Sequence, residues 1–156
     1  MVMDKAEPEV DRRLATLWQE ARFGPTIERI REHVFAGGEE QLDFGQFRLL
    51  QAVAAHGPCP MRQLADALAI TASTVTRSVQ RLEAAGLVVR MPGRHDQREV
   101  FVDLTEEGRR LFHYFVERAM TTYQEIFATF TVDERVLLAD MLERILKSAD
   151  ALLVEG

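Results

Sequence analysis

Ser73, Thr74, Thr76, Arg77, Gln80 and Arg81 recur on one side of a single helical segment, opposite an apolar stripe of Val75, Val79 and Leu82. Short hydroxyls near a helix start let the backbone approach a groove closely, and arginine and glutamine further along reach phosphates or base edges. The chemistry on offer is hydrogen bonding to a nucleic acid. An ordinary amphipathic helix with a solvated polar face has the same pattern, so the surrounding elements must decide between the two. Thr71 is placed to cap the start of this helix and Gly86 to end it in a left-handed turn.

Bond-making chemistry finds little support. His33, His56, His95 and His113 are dispersed, with no His-x-x-x-His spacing and no carboxylate at ligand spacing. No nucleophile, base and orienting group come together, so neither an enzyme nor a metal or other cofactor is expected. The single cysteine, Cys59, cannot form an internal disulfide. It lies between two prolines with only Arg62 nearby to lower its pKa, and is read as a structural thiol; a redox-sensing role is the competing reading.

The 156 residues suit one domain, or a small domain with helical extensions, and 47% hydrophobic with 28% charged residues describes a globular chain. Its net charge of −6 argues against a nucleic-acid partner until the charge is mapped. Residues 71–98 hold five arginines (77, 81, 90, 94 and 98) against Glu83 and Asp96, a local net of +3 that leaves −9 for the rest. The first dozen residues mix Asp4, Lys5, Glu7, Glu9 and Asp11 without an apolar run, and no later stretch has the length of a membrane span. The expectation is a cytoplasmic protein without a membrane partner.

Taken in order, residues 8–36 carry helical periodicity through Val10, Leu14, Leu17 and Ala21, then Ile27, Ile30 and Val34. Gly24-Pro25 should break it, with a second helix starting near Pro25 and Gly37-Gly38 ending that one. Trp18 is read as a packing residue. Asp43 and Gln46 form a capping-box variant for a helix to about Ala55, with Phe47, Leu50 and Ala54 inward. Gly57-Pro58-Cys59-Pro60 should turn the chain before a short helix, Met61 to Leu68, whose inner residues are Met61, Leu64, Ala65 and Leu68. That helix, a tight connection at Ala69-Ile70-Thr71 and the segment after it make a helix-turn-helix. Leu87–Met91 and Glu99–Asp103 then read as strands around Pro92-Gly93-Arg94-His95-Asp96-Gln97-Arg98, a hairpin with a basic tip. Such a wing reaches an adjacent minor groove or the backbone. Thr105 caps a long helix with an apolar stripe from Leu111 to Phe130, and Thr131 to Glu134 is a capping box for the last helix, striped from Leu137 to Leu153. These two helices carry more apolar surface than a winged domain covers, which points to a dimer interface.

The order of parts resembles the MarR family of bacterial winged-helix repressors over about Leu42 to Leu153. The matching residues are Leu64-Ala65, Thr71 to Arg77, Leu82-Glu83, Gly86-Leu87-Val88, Arg90, the Asp-x-Arg of Asp96-Gln97-Arg98, and Leu104 to Gly108. The resemblance implies a mainly α fold with a small β-hairpin wing, a winged helix-turn-helix joined to a helical dimerisation region. It divides the chain into an N-terminal helical segment (1–40), a DNA-binding domain (41–104) and C-terminal dimerisation helices (105–156). It further implies a homodimer bound to a pseudo-palindrome in double-stranded DNA and released by a small-molecule effector.

By position, Ser73, Thr74, Thr76 and Arg77 would meet the major groove, with Gln80 and Arg81 beside them, and Arg98 would enter the minor groove. Asp96 would hold the Arg98 guanidinium in one geometry, and Arg94 and His95 would contact phosphates. The family places effectors in a cleft whose candidate walls here are Phe44, Phe47, Arg48, Phe112 and Phe115, though each taken singly reads better as core. The break at Gly24-Pro25 departs from the family's uninterrupted first helix. A winged-helix dimer that has lost DNA binding is the competing function; a cluster of Arg77, Arg94 and Arg98 with Asp96 speaks against it.

Overall fold

The computed structural model describes residues 7–35, 42–93 and 99–154. Helix α1 (Glu7–Phe23) and α2 (Pro25–Phe35) are separated at Gly24. A Cβ there would lie 2.5 Å from the Glu20 carbonyl oxygen, so only glycine fits. Proline at the first position of α2 costs nothing, because that N–H has no helical partner. Both helices and the break match the expectation; Gly37-Gly38 lies outside the described residues.

Helix α3 (Phe44–His56) opens with the full capping box: Asp43 accepts from the Gln46 N–H at 2.8 Å, and the Gln46 side chain accepts from the Asp43 N–H at 2.9 Å. Two residues then depart from the expected turn. Cys59–Pro60 form a short strand, β1, pairing antiparallel with β3 (Val100–Leu104) through Cys59↔Val102 and Pro60↔Phe101. Pro92, assigned above to the hairpin loop, is the last residue of β2 (Val88–Pro92) and pairs with Val100. The sheet order is β1-β3-β2, so β2 is an edge strand, where proline is tolerated.

Between β1 and β2 come α4 (Met61–Leu68) and α5 (Ala72–Ala84). Leu64 and Leu68 are buried as expected, while Met61 and Ala65 are only half-buried. The turn between the helices puts Ala69 in the left-handed region (φ 53°, ψ 44°), an uncommon conformation for a residue with a Cβ, costing roughly 1 kcal/mol. The core below is built from Leu49, Leu50, Val53, Leu64, Val75, Val79, Leu82 and Val102, all essentially inaccessible.

Helix α6 (Glu106–Phe127) begins at Thr105, whose hydroxyl accepts from the Gly108 N–H at 3.0 Å. Two compact units divide within it, after Arg118. In the first unit Leu111 and Phe115 are buried. Phe35 lies at the centre of an aromatic cluster, with ring centroids 4.9 Å from Phe47, 5.5 Å from Phe115 and 5.6 Å from Phe44. Phe47 and Phe115 are thus core, and Phe35, absent from the helical stripes read in the sequence, organises them. In the second unit the end of α6 joins α7 (Val132–Val154) through the expected Thr131–Glu134 capping box. Leu137, Met141, Leu142 and Ile145 are exposed along α7 in the single chain. On α1, Val10, Leu14 and Leu17 are likewise uncovered, and Trp18 is 36% exposed with the Arg22 guanidinium against its ring. No helix among the described residues is long and apolar enough to cross a membrane.

Candidate nucleic-acid interface

Helix α5 forms for reasons that can be read residue by residue. The Thr71 hydroxyl accepts from the Thr74 N–H at 3.3 Å, so the helix has its expected N-cap. At the other end Gly86 adopts φ 73°, and the Gly86 N–H to Glu83 carbonyl (2.9 Å) and Leu87 N–H to Leu82 carbonyl (2.9 Å) bonds complete a Schellman motif. Val75, Val79 and Leu82 are fully buried, which fixes the rotation of the helix about its axis.

With that rotation fixed, Ser73, Thr74, Thr76, Arg77, Gln80 and Arg81 are all exposed, as the spacing predicts. At 100° per residue they cover an arc of roughly 160°. Their hydroxyls are not loose. The Thr71 oxygen lies 3.0 Å from Ser73 Oγ and 2.9 Å from Thr74 Oγ1, so three hydroxyls share protons at the helix start. Thr76 donates its hydroxyl proton to the Ala72 carbonyl at 2.9 Å, leaving its oxygen lone pairs and methyl group outward. Neither Arg77 nor Arg81 has an ion pair among the described residues.

Arg90, on β2, does have one: its Nη2 lies 2.6 Å from Glu83 Oε2 at the end of α5. The hydrogen bond to Arg90 holds the Glu83 carboxyl below its ordinary value and, reciprocally, raises that of Arg90. Thr76, Arg90, Arg62 and Glu99 line an open depression of about 380 Å³ together with Pro60, Met61 and Val100. Reading along the sequence gave no sign of this pairing, because the partners are seven residues apart and on different elements. The wing-tip residues Arg94, His95, Asp96, Gln97 and Arg98 lie outside the described residues.

Cys59 is 1% exposed, and burial, followed by the charge of Asp103, pushes its thiol pKa up from 9.0. A thiol in that setting stays protonated and unreactive. Among the described residues no three His, Cys, Asp or Glu side chains come together as metal ligands.

Comparison with known proteins adds to this geometry. The sequence profile of the MarR family matches residues 40–99. The chain is 35% identical to the HTH-type transcriptional regulator FarR of Neisseria gonorrhoeae, covering 69% of this chain and 73% of that one. It is 32% identical to the HTH-type transcriptional repressor NicR of Pseudomonas putida, covering 70% of each. Among solved structures it is similar to BpsR of Bordetella bronchiseptica (28% identity, TM-score 0.58, 80% of this chain and 98% of that one), whose DNA binding is regulated by 6-hydroxynicotinic acid.

Proposed function

The chain belongs to the MarR family of winged helix-turn-helix transcriptional regulators, and we propose that it is a dimeric repressor, acting in the cytoplasm, that leaves a pseudo-palindromic operator when a small molecule binds. The observation that carries the reading is the exposed face of α5, where Arg77 and Arg81 stand without an ion pair among the described residues over a fully buried Val75-Val79-Leu82 stripe. In this reading Ser73, Thr74, Thr76 and Arg77 enter the major groove and Gln80 and Arg81 flank them. Because Thr76 spends its proton on Ala72, it offers a base edge an acceptor and a methyl, suited to an exocyclic amino group or a thymine methyl. Arg94, His95 and Arg98, with Asp96 in support, extend the surface along the wing.

The apolar faces of α7 and α1 are the proposed dimer contact, since isolated apolar stripes of that length are unfavourable in water. A two-fold axis then sets two copies of α5 in major grooves roughly 10 base pairs apart. Identity to a repressor supports the sign of regulation, and likeness to BpsR supports an aromatic-acid class of effector. Such a ligand acts only by binding one spacing of the lobes better than the other.

Fluorescence anisotropy on duplex DNA from the region upstream of the chain's own gene tests the reading. Four cationic contacts per subunit give a slope of log affinity against log salt of about −7. Arg77→Ala should lower affinity or base discrimination, and Arg98→Ala should weaken binding most at A·T-rich wing positions. A slope near zero, or binding unaffected by both substitutions, refutes it.

A further inference from the structure

Glu83 is in an unfavourable place. It occupies the last turn of α5, where the free carbonyls of a helix concentrate negative potential. The same helix carries the face assigned above to a polyanion. Both fields oppose a carboxylate, yet Glu83 is there, with Arg90 of β2 at 2.6 Å and side chains 33% and 39% exposed. Glu83 follows Thr76 by seven residues, two turns along the same edge of α5. Arg90 and Thr76 line the same depression. As the edge strand, β2 has a neighbouring strand on one side only, β3. Among the described residues no other ion pair links α5 to the sheet.

We propose that Glu83 is a positioning residue for DNA binding: it holds the Arg90 guanidinium at the edge of α5 beside Thr76, fixing β2 and its cation in register with the recognition helix. The proposal rests on the reading of α5 as the helix that contacts DNA. An unrestrained arginine on an edge strand samples many rotamers and loses that freedom when it docks. Held by one carboxylate oxygen, the same guanidinium is already oriented, and it keeps further N–H donors for a phosphate. The pair supplies direction at the expense of net positive charge, and this trade makes it testable.

If Glu83 mattered only through its charge, removing that charge beside a polyanion would tighten binding to every DNA. Positioning predicts the opposite sign on specific DNA. The full-length chain and its Glu83→Gln, Arg90→Gln and doubly substituted variants would be titrated against the upstream duplex and an unrelated duplex of equal length. Glu83→Gln should bind the upstream duplex about three- to tenfold more weakly, the range open to an exposed ion pair repeated in two subunits. It should bind the unrelated duplex as well as before or better, and add nothing in the Arg90→Gln background. Equal or tighter binding to the upstream duplex, or full additivity of the two substitutions, overturns the proposal. Thermal unfolding monitors the fold; should Glu83→Gln not fold, Glu83→Asp keeps the charge but withdraws it from Arg90, and wild-type binding by that variant overturns the proposal. A wild-type chain that treats the two duplexes alike overturns the reading of α5 as well, before any variant is compared.

Discussion

The Thr105 hydroxyl donates to the Gly86 carbonyl at 2.7 Å, while its oxygen accepts from the Gly108 N–H at 3.0 Å, so one side chain joins the end of α5 to the start of α6. The Thr105 N–H adds a bond to the Leu87 carbonyl at 3.1 Å. Thr105→Val keeps the shape and removes the hydroxyl. Losing a helix cap and leaving the Gly86 carbonyl without that donor should destabilise the chain by about 1–2 kcal/mol, read as a lower urea midpoint with unchanged slope. An unchanged midpoint would show that water replaces both bonds.

Gly108→Ala should also destabilise, against the usual trend. In an open helix this change gains about 1 kcal/mol. Here a Cβ would stand 1.9 Å from the Leu87 carbonyl oxygen and 2.9 Å from its carbon, backbone atoms that cannot rotate away. Overpacking of that kind costs about 1–3 kcal/mol, and a rise in melting temperature would contradict the close approach.

The acid side of the stability curve should depend on Glu134. Its carboxyl is held below 4.5, first by the Thr131 backbone N–H and then by the Thr131 hydroxyl. A lowered folded value means the unfolded chain takes up the proton first. The contribution is therefore complete above the unfolded value and is lost as pH falls through the folded one. Glu134→Gln should melt below wild type at neutral pH, and the two curves should converge once the pH has fallen below the lowered carboxyl value. A gap that persists at that pH would mean the glutamate acts through packing and not through charge.

Cys59 should resist modification in the folded chain. Buried beside β3 and with its pKa raised, it should react with Ellman's reagent only as fast as the protein opens, and mild peroxide should leave DNA binding intact. Rapid labelling of the native protein, or peroxide release that Cys59→Ser abolishes, would revive the redox reading.

What the sequence made legible was local. Thr71, Gly86, Asp43, Thr105 and Thr131 are caps whose capping bonds span no more than five residues, and each lies at the helix end it was assigned. The α5 face followed from its buried stripe by rotation alone. What escaped is long-range. Cys59-Pro60 has no strand periodicity of its own and becomes β1 only because β3 offers Val102 and Phe101 as partners. Phe35 ends its helix one residue beyond the apolar stripe, so its place among Phe44, Phe47 and Phe115 depends on packing that spacing does not encode. The Glu83–Arg90 pair is of the same kind, a helix-to-strand contact with no periodic trace.

Strand β1 is only two residues long, yet it closes the loop of chain that contains α4, α5 and β2. Val102 is the shared hinge pin: it pairs with Cys59 on one side and with Arg90 on the other, and is fully buried. Helix α5 therefore cannot fray as an isolated segment without opening the sheet that brackets it. In amide hydrogen exchange, Val75, Val79 and Val102 should form one cooperative unit, exchanging at a common rate as denaturant is raised.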